Sequence, residues 1–243
     1  MKGMIFAAGL GTRLRPLTDT VPKCLIEVGG KPMLERVIES FQRAGITDIT
    51  VNVHHHAEQV KQWLSEHPSG ARITVSDESE QLLDTGGGLL KAAPMLEDSD
   101  GIVIHNADVL TDIDLRRMME AHTASGADAM LLTRSKVSAR ALMWDTDGRL
   151  RGWANLQTGQ TRPEGLDLSG LTAMGFGGVH IIKPALLRAL REYASGVFSI
   201  TPFYADMCDR LIIRSYPLAD KQWIDIGKPE SLAKARELYS ATT

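Results

Sequence analysis

Residues 4–18 read Met-Ile-Phe-Ala-Ala-Gly-Leu-Gly-Thr-Arg-Leu-Arg-Pro-Leu-Thr, and Pro22-Lys23 follow closely. The apolar run from Met4 to Ala8 predicts a buried strand, and Gly9 to Pro16 predicts a glycine-bearing loop. Glycines let backbone N–H groups approach phosphate oxygens, while arginine and lysine supply charge and hydrogen bonds. The segment therefore predicts a strand that feeds a phosphate-binding loop.

The first half of the chain alternates short apolar runs with amphipathic patterns. Strands are predicted at 49–53, 71–75 and 102–104, and helices at 32–44, around 60–64, at 88–95 and around 115–122. Such alternation indicates βαβ units and a parallel sheet with both faces covered. Ligands of these sheets bind outside the carboxyl ends of the strands. Gly9, the run His54-His55-His56, Asp77 and Asp108 all follow predicted strands and are candidates for that edge.

The second half is richer in β-structure. Strands are predicted at 129–133, 141–145, 150–154, 174–182 and 212–218, and helices at 185–193 and 229–239. Because the sequence contains no linker, low-complexity segment or internal repeat, we expect one α/β domain whose second half contributes an acceptor-side lobe.

Composition excludes several classes of protein. Lys plus Arg number 27 and Asp plus Glu number 30, so the net charge of −3 disfavours a general nucleic-acid binder. The apolar run at the N-terminus is too short to span a bilayer and lacks a secretory cleavage pattern, so no membrane segment is expected. Two cysteines are too few for a disulfide framework or a four-cysteine zinc site, which favours a cytoplasmic protein.

Two common phosphate-binding fingerprints are absent from the first loop. No third glycine follows Gly11 at the Rossmann spacing, and no Gly-Lys-Ser/Thr occurs there. A glycine turn with surface arginines is the alternative for a lone Gly-x-Gly. The full string from Ala7 to Thr18, together with Pro22-Lys23, favours a phosphate site over that alternative.

Five motifs, in order along the chain, resemble those of the sugar-1-phosphate nucleotidyltransferases. The first is the Ala7–Thr18 string with Pro22-Lys23. The others are Leu83-Asp-Thr-Gly-Gly-Gly88, similar to a second glycine-rich loop, then Asn106-Ala-Asp108, Phe176-Gly-Gly-Val-His180 and Trp223-Ile-Asp-Ile-Gly227. Within the family, the short chain and the Thr-Gly-Gly-Gly look most like N-acetylmuramate 1-phosphate uridylyltransferases. Similar Gly-Gly loops occur in mannose-1-phosphate guanylyltransferases.

The resemblance implies a Rossmann-like nucleotidyltransferase fold of the glycosyltransferase A-like type. Its sheet would be mixed, mostly parallel and flanked by helices, in a single domain over residues 1–243. Residues up to about 125 would form the nucleotide-binding half. Residues from about 126 would form the sugar-phosphate-binding half and the C-terminal helix. The implied reaction joins a nucleoside triphosphate, with UTP favoured, to a sugar 1-phosphate such as N-acetylmuramate 1-phosphate. The resemblance implies a role in sugar-nucleotide and cell-wall synthesis, and we expect a monomer or a small homo-oligomer.

The resemblance also implies roles for particular residues. Arg13 and Lys23 would be catalytic, and Asp108 and Asp225 would be catalytic ligands of one Mg²⁺, which prefers one or two carboxylates with phosphate oxygens and water. The residues implied in substrate binding are Ala7, Ala8, Gly9, Gly11, Thr12, Arg13, Lys23, Gly86, Gly87, Asn106, Asn155 and Gly178, with the segment from Asp77 to Gln81 beside the base and ribose.

Alternatives remain at several positions. Asp108 could cap the following helix, a role for which Asp112 and Asp114 compete. The three consecutive histidines are interpreted as polar residues at the end of a strand and not as a metal site. Cys24 is interpreted as structural. The Glu-Lys-Pro of many family members is absent, and Trp153 to Gln157 stand in the corresponding stretch. A non-catalytic sugar-nucleotide sensor and a Rossmann dehydrogenase are the other candidate classes. The dehydrogenase is disfavoured because His54, not an acidic residue, ends the second strand. Phosphocholine is a further candidate acceptor.

Overall fold

The computed structural model describes residues 1–240. Its helices are α1 (Met33–Arg43), α2 (Ala57–Glu66), α3 (Asp84–Leu96), α4 (Leu115–Ser125), α5 (Leu186–Tyr193), α6 (Ile200–Met207) and α7 (Pro229–Ser240). Its strands are β1 (Lys2–Phe6), β2 (Glu27–Val28), β3 (Lys31–Pro32), β4 (Asp48–Val53), β5 (Arg72–Asp77), β6 (Ile102–Asn106), β7 (Val109–Thr111), β8 (Ala129–Arg134), β9 (Arg140–Trp144), β10 (Leu150–Asn155), β11 (Thr161–Arg162), β12 (Thr172–Ile182), β13 (Ile213–Pro217) and β14 (Trp223–Asp225). Three short 3-10 turns lie at Thr12–Leu14, Leu17–Asp19 and Lys23–Leu25.

Within residues 1–240, ten strands form one sheet. β1 is hydrogen-bonded in parallel to β4 and β6, and β5 pairs in parallel with β4. β12 runs antiparallel to β6, β8 and β9, and its register shifts between Phe176 and His180. β10 and β11 extend the sheet beyond β9, while β13 lies parallel to β8. The predicted class is confirmed: a mixed, mostly parallel sheet with helices on both faces in a single domain.

The alternation of side chains along β1 explains the two hydrophobic layers. Ile5 packs on one face of the sheet with Leu34 and Phe41 of α1, and Met4 packs on the other face with Leu89 of α3. The apolar residues predicted to line one face of α1 are buried, because residues three or four apart lie on the same side of a helix. A smaller cluster joins α7 to the 14–33 region and to β14, which holds the chain around Arg13 and Lys23 against the sheet edge.

Several local features differ from the predictions. The helix expected from Gly88 begins at Asp84, because the N–H groups of Gly86 and Gly87 donate to the carbonyl of Phe198 at 2.9 and 3.2 Å. Helix α6 and the short antiparallel ribbon of β7 and β14 were not predicted. Within residues 1–240, no helix is both long and apolar enough to cross a membrane.

Candidate functional site

A cavity of about 360 Å³ lies at the carboxyl ends of β1 and β6, and we name it the strand-end cavity. Its lining includes Ala7, Ala8, Gly9, Lys23, Asn106 and Asp108. Nothing lies within 4 Å of a Cβ built on Gly9, so the backbone there is open to a ligand. The volume falls in the range of small-molecule sites. The predicted edge of the sheet is therefore concave. Of the residues predicted for it, Gly9 and Asp108 line the cavity, and the three histidines and Asp77 do not.

The first loop is shaped by Gly11, which has a φ of 65°. Its carbonyl accepts hydrogen bonds from Leu14 N at 2.8 Å and from Thr18 Oγ1 at 2.8 Å. A side chain at this position would strain the backbone and would meet Thr18 Cγ2 at 2.7 Å. Gly11 therefore shapes the turn that leads into the exposed residues Thr12 and Arg13.

The two predicted metal ligands come together across the ribbon of β7 and β14. Asp225 ends β14 and pairs in register with Val109, the residue after Asp108. Ile226 N donates to the carbonyl of Asp108 at 3.0 Å, which holds the two segments side by side. Residues 117 positions apart in the sequence (225 − 108) thus lie next to each other at one end of the sheet.

Two predicted cations lie against this acidic pair. Lys23 Nζ donates to Asp108 Oδ2 and forms an ion pair with it, and its side chain is only 12% exposed. Gly227 lies where the groups converge. A Cβ built on it would lie 2.7 Å from Asp225 Oδ1, 2.8 Å from Arg13 Nη2 and 3.0 Å from Lys23 Nζ. Three predicted catalytic side chains therefore meet around one glycine, and the fourth, Asp108, is paired with one of them, Lys23.

A buried carboxylate within the segment predicted to contact base and ribose, Asp77 to Gln81, organises the other wall of the cavity. Glu78 is fully buried and accepts hydrogen bonds from Asn52 Nδ2 at 2.7 Å and from Leu83 N at 3.0 Å. Asn52 Oδ1 in turn accepts from Ala7 N at 2.8 Å. A Cβ on Gly88 would meet Glu78 Oε1 at 2.7 Å, so the third glycine of the motif makes room for this network. The sequence signal was an acidic residue directly after β5.

Other predicted binding residues differ in their placement. Gly86 and Gly87 lie inside α3 and not in a loop, and their N–H groups are bonded to Phe198. The cavity is lined nearby by Leu82, Asp84 and Thr85 and not by these glycines. They are glycines because added Cβ atoms would lie 2.3 Å from the Phe198 ring and 2.1 Å from Gly196 O. The expected glycine loop is corrected to a helix start packed on residues 196–198.

Asn155, which was predicted to face the sugar, uses its carboxamide oxygen locally. Its Oδ1 accepts from Gln157 N at 3.0 Å and from Thr158 N at 3.3 Å, so the carboxamide oxygen closes its own turn. Asn106 and Gly178 do meet. Gly178 has a φ of 74°, and a Cβ built on it would lie 3.0 Å from Asn106 Nδ2. The close approach of β12 to the end of β6 therefore requires a glycine there.

The structure decides between several alternatives. Asp114 caps α4 by accepting from Arg117 N at 3.1 Å, and Asp112 accepts from Gln222 N at 2.6 Å, so Asp108 is not the helix cap. Cys24 is 1% exposed, and burial raises the pKa of its thiol to about 12, as a structural residue requires.

The histidine run forms hydrogen bonds to main-chain oxygens. His54 Nδ1 lies 2.7 Å from Glu78 O, while His55 Nε2 and His56 Nε2 lie 3.2 and 3.3 Å from Thr18 O. Among residues 1–240, no three His, Cys, Asp or Glu side chains form a metal cluster. The run therefore tethers the end of β4 to its neighbours.

Two further histidines lie buried near the site. Burial lowers the pKa of His105 to about 4 and that of His180 to about 3. His180 Nδ1 lies 2.6 Å from the hydroxyl of Tyr204. Both imidazoles are therefore neutral at physiological pH and belong to the core of the fold.

A second cavity, of about 460 Å³, lies on the β9–β10 side of the sheet, and we name it the outer-sheet cavity. Its lining includes Arg140, Trp153, Gln160, Arg162, Phe176 and Ser199. Arg162 is paired with Asp206 at 2.9 Å, whereas Arg140 has no acidic partner among residues 1–240. Ser199 Oγ lies 3.4 Å from Thr85 Oγ1, and Thr85 lines the strand-end cavity. The two cavities therefore share a wall.

The donor set at the strand-end cavity fits Mg²⁺. Asp108 and Asp225 are two partly exposed carboxylates beside each other. Mg²⁺ is usually bound by one or two carboxylates together with substrate phosphates and water, and not by a full set of protein ligands. A pair without a third protein carboxylate is therefore the pattern expected for this ion.

Comparisons with known proteins agree with this geometry. The family model described as "Nucleotidyl transferase" matches residues 2–141. An N-acetylmuramate alpha-1-phosphate uridylyltransferase of Neisseria meningitidis serogroup B is 32% identical over 99% of both chains. A mannose-1-phosphate guanyltransferase of Hypocrea jecorina is 30% identical over 98% of this chain, which spans only 64% of that relative's length.

Solved structures share the fold. A UDP-glucose pyrophosphorylase complexed with UDP-glucose superposes with a TM-score of 0.80, at 18% identity and 100% coverage of both chains. HddC from Yersinia pseudotuberculosis complexed with GMP-PN gives a TM-score of 0.75 at 21% identity, covering 98% of this chain and 99% of its own.

Proposed function

Because the chain belongs to the nucleotidyl transferase family, we propose that it makes a nucleoside diphosphate sugar from a nucleoside triphosphate and a sugar 1-phosphate. The observation that carries the proposal is the convergence of Arg13, Lys23 and Asp225 around Gly227, with Asp108 paired to Lys23, at the edge of a cavity of nucleotide size. Two cations and two carboxylates from four separate segments are what a phosphate and metal site needs. A sensor without catalysis does not require all four.

The proposed reaction needs no covalent intermediate. A phosphate oxygen of the sugar 1-phosphate attacks the α-phosphorus, a new P–O bond forms, and the bond to the bridging oxygen breaks. Pyrophosphate leaves with the electron pair of that bond. Catalysis then consists of holding two anions in line and neutralising their charge. Positioning of this kind is worth up to about 7–11 kcal/mol in well-oriented reactions.

We assign the roles as follows. Gly9 and Thr12 offer backbone and hydroxyl groups to the triphosphate, Arg13 and Lys23 pair with its oxygens, and Asn106 faces the acceptor phosphate. Lys23 is held beside Asp108 by their ion pair, so its charge is preorganised at the reacting end of the cavity. Asp108 and Asp225 would hold Mg²⁺, which when bound lowers the repulsion between the two anionic reactants.

For the substrates we propose UTP and N-acetylmuramate 1-phosphate. The chain matches the Neisseria uridylyltransferase end to end, whereas the fungal guanyltransferase is longer. The outer-sheet cavity adds a chemical reason, because the unpaired guanidinium of Arg140 suits a carboxylate, which N-acetylmuramate carries and mannose lacks. GTP with mannose 1-phosphate is the second candidate, supported by the Hypocrea relative.

We would test four nucleoside triphosphates against several sugar 1-phosphates and measure pyrophosphate release. This assay tests both the proposed reaction and the proposed substrates. We expect the highest kcat/KM for UTP with N-acetylmuramate 1-phosphate, and lower values for neutral acceptors such as mannose 1-phosphate and N-acetylglucosamine 1-phosphate. Phosphocholine belongs in the assay as a non-sugar acceptor. Release from GTP and mannose 1-phosphate alone would select the second candidate. Absence of release from every pair would reject the enzyme proposal.

A further inference from the structure

A third cavity, of about 380 Å³, lies where β8, β12 and residues 217–223 meet, and we name it the basic cavity. Its lining includes Thr133, Arg134, Lys136, Lys221 and Trp223. Three of these side chains are cationic, and no carboxylate lines the cavity in the part of the chain that the structure describes. Its electrostatic character therefore favours a small anion.

Arg134 is the partly buried cation of this group. Its guanidinium carbon lies 3.4 Å from the centroid of the Trp223 ring, and its Nε is buried without a hydrogen-bond partner. No carboxylate within residues 1–240 forms an ion pair with it, and Asp225 acts on it only through a longer-range Coulomb interaction. A partly buried charge without a partner is costly, so such groups are usually paired with an ion or a ligand.

The two lysines of the cavity are exposed. Lys136 and Lys221 form no ion pair with a carboxylate in the part of the chain that the structure describes. A guanidinium and two ammonium groups are complementary to an oxyanion that offers several acceptor oxygens. One anion could therefore contact all three cations.

We propose that the basic cavity binds a phosphate-class anion, held by Arg134, Lys136 and Lys221. The anion is either free phosphate or the phosphoryl group of a small metabolite. Trp223 lines the cavity and begins strand β14, which Asp225 ends. An anion bound in the basic cavity would therefore contact the same strand that carries a candidate metal ligand. The inference stands on the cavity alone and does not depend on the proposed function.

Calorimetric titration of the metal-free protein with inorganic phosphate, at constant ionic strength, tests the proposal. Arg134→Gln is expected to raise the Kd at least about tenfold, the usual consequence of losing a charged hydrogen-bond partner. Lys91→Gln, at an exposed lysine of α3, is the matched control and is expected to keep the wild-type Kd. Lys23→Gln separates this site from the strand-end cavity and should also leave it intact. Wild-type affinity in Arg134→Gln, or loss of binding in Lys23→Gln, would overturn the proposal.

Lys136 and Lys221 are exposed, so the double variant Lys136→Gln/Lys221→Gln tests the site if the Arg134→Gln protein does not fold. The double variant is expected to weaken phosphate binding by a similar factor, and undiminished binding would reject the site. Repeating the titration with glucose 1-phosphate present identifies the source of the anion. Displacement of phosphate supports a metabolite's phosphoryl group, and unchanged binding supports the free ion. None of these readouts uses turnover, so failure of the proposed function would leave them interpretable.

Discussion

Replacing Gly227 by alanine places one methyl group among three charged side chains of the candidate site. The added Cβ would lie 2.7 Å from Asp225 Oδ1, 2.8 Å from Arg13 Nη2 and 3.0 Å from Lys23 Nζ. Ordinary contacts of this kind are about 3.5 Å or longer. Because Gly227 does not have a left-handed φ, alanine strains no backbone, and the whole effect falls on the three side chains.

The magnitude follows from which atoms must move. Overpacking a rigid core costs about 1–3 kcal/mol. Here the crowded atoms are the ends of flexible side chains, so we expect a loss of less than about 1 kcal/mol in the free energy of unfolding. The same shift misplaces phosphate and metal contacts together, and a misplacement of about 1 Å costs about 10²-fold in rate. We therefore expect kcat/KM to fall about 10²-fold in a folded protein.

Pyrophosphate release and urea unfolding measure the two quantities separately. Gly101→Ala is the matched control, because its Cβ would meet only the flexible Met1 side chain, at 3.2–3.4 Å, at the opposite end of β6. That control should keep both wild-type values. A Gly227→Ala protein with wild-type stability and a rate within about twofold of wild type would show that these three side chains do not act together in turnover.

Three further predictions address the same region and the core beneath it. Asp108→Asn and Asp225→Asn should each lower turnover at least about 10²-fold with folding preserved and calorimetric Mg²⁺ binding weakened; wild-type activity in the double variant would remove the metal assignment. Lys23→Ala should lower turnover about 10²-fold in the pyrophosphate assay, and an unchanged rate would place Lys23 outside the site. His105 and His180 have pKa values lowered to about 4 and about 3 by burial, so the unfolded chain takes up protons below pH 6.5 before the native protein does. Their contribution is present above pH 6.5 and is lost as the pH falls, by about 2 kcal/mol per histidine between pH 7 and pH 5; equal unfolding free energies at these two pH values would contradict it.

Local patterns were sufficient to predict most of the sheet. The alternation of apolar runs with amphipathic patterns is a short-range signal. Each predicted strand begins within two residues of the observed first residue. Helix α6 was missed because its apolar residues do not form a clear stripe and it contains Pro202 in its first turn. The second glycine motif was mistaken for a loop because the carbonyl that receives its N–H groups comes from Phe198, more than a hundred residues away.

The residues of the candidate site could be predicted from the sequence, but their contacts could not. The motifs named Lys23, Asp108 and Asp225, and the structure brings them together. What the sequence does not encode locally is the partner of each group. The bond from Ala7 to Asn52, the buried position of Glu78 and the use of the Asn155 oxygen in its own turn all depend on tertiary packing.

Strand β12 connects the two parts of the sheet. Its first residues, from Thr172, pair with β9, and its last residues, to Ile182, pair with β6, and its register against β8 shifts between them. Residues 140–171 are therefore attached to the first part of β12, whereas the strand-end cavity lies beside its middle, where Gly178 approaches Asn106. On the proposed function, replacing residues 140–171 by those of a relative with a different acceptor is expected to change the acceptor preference in the pyrophosphate assay and to leave the nucleotide preference unchanged.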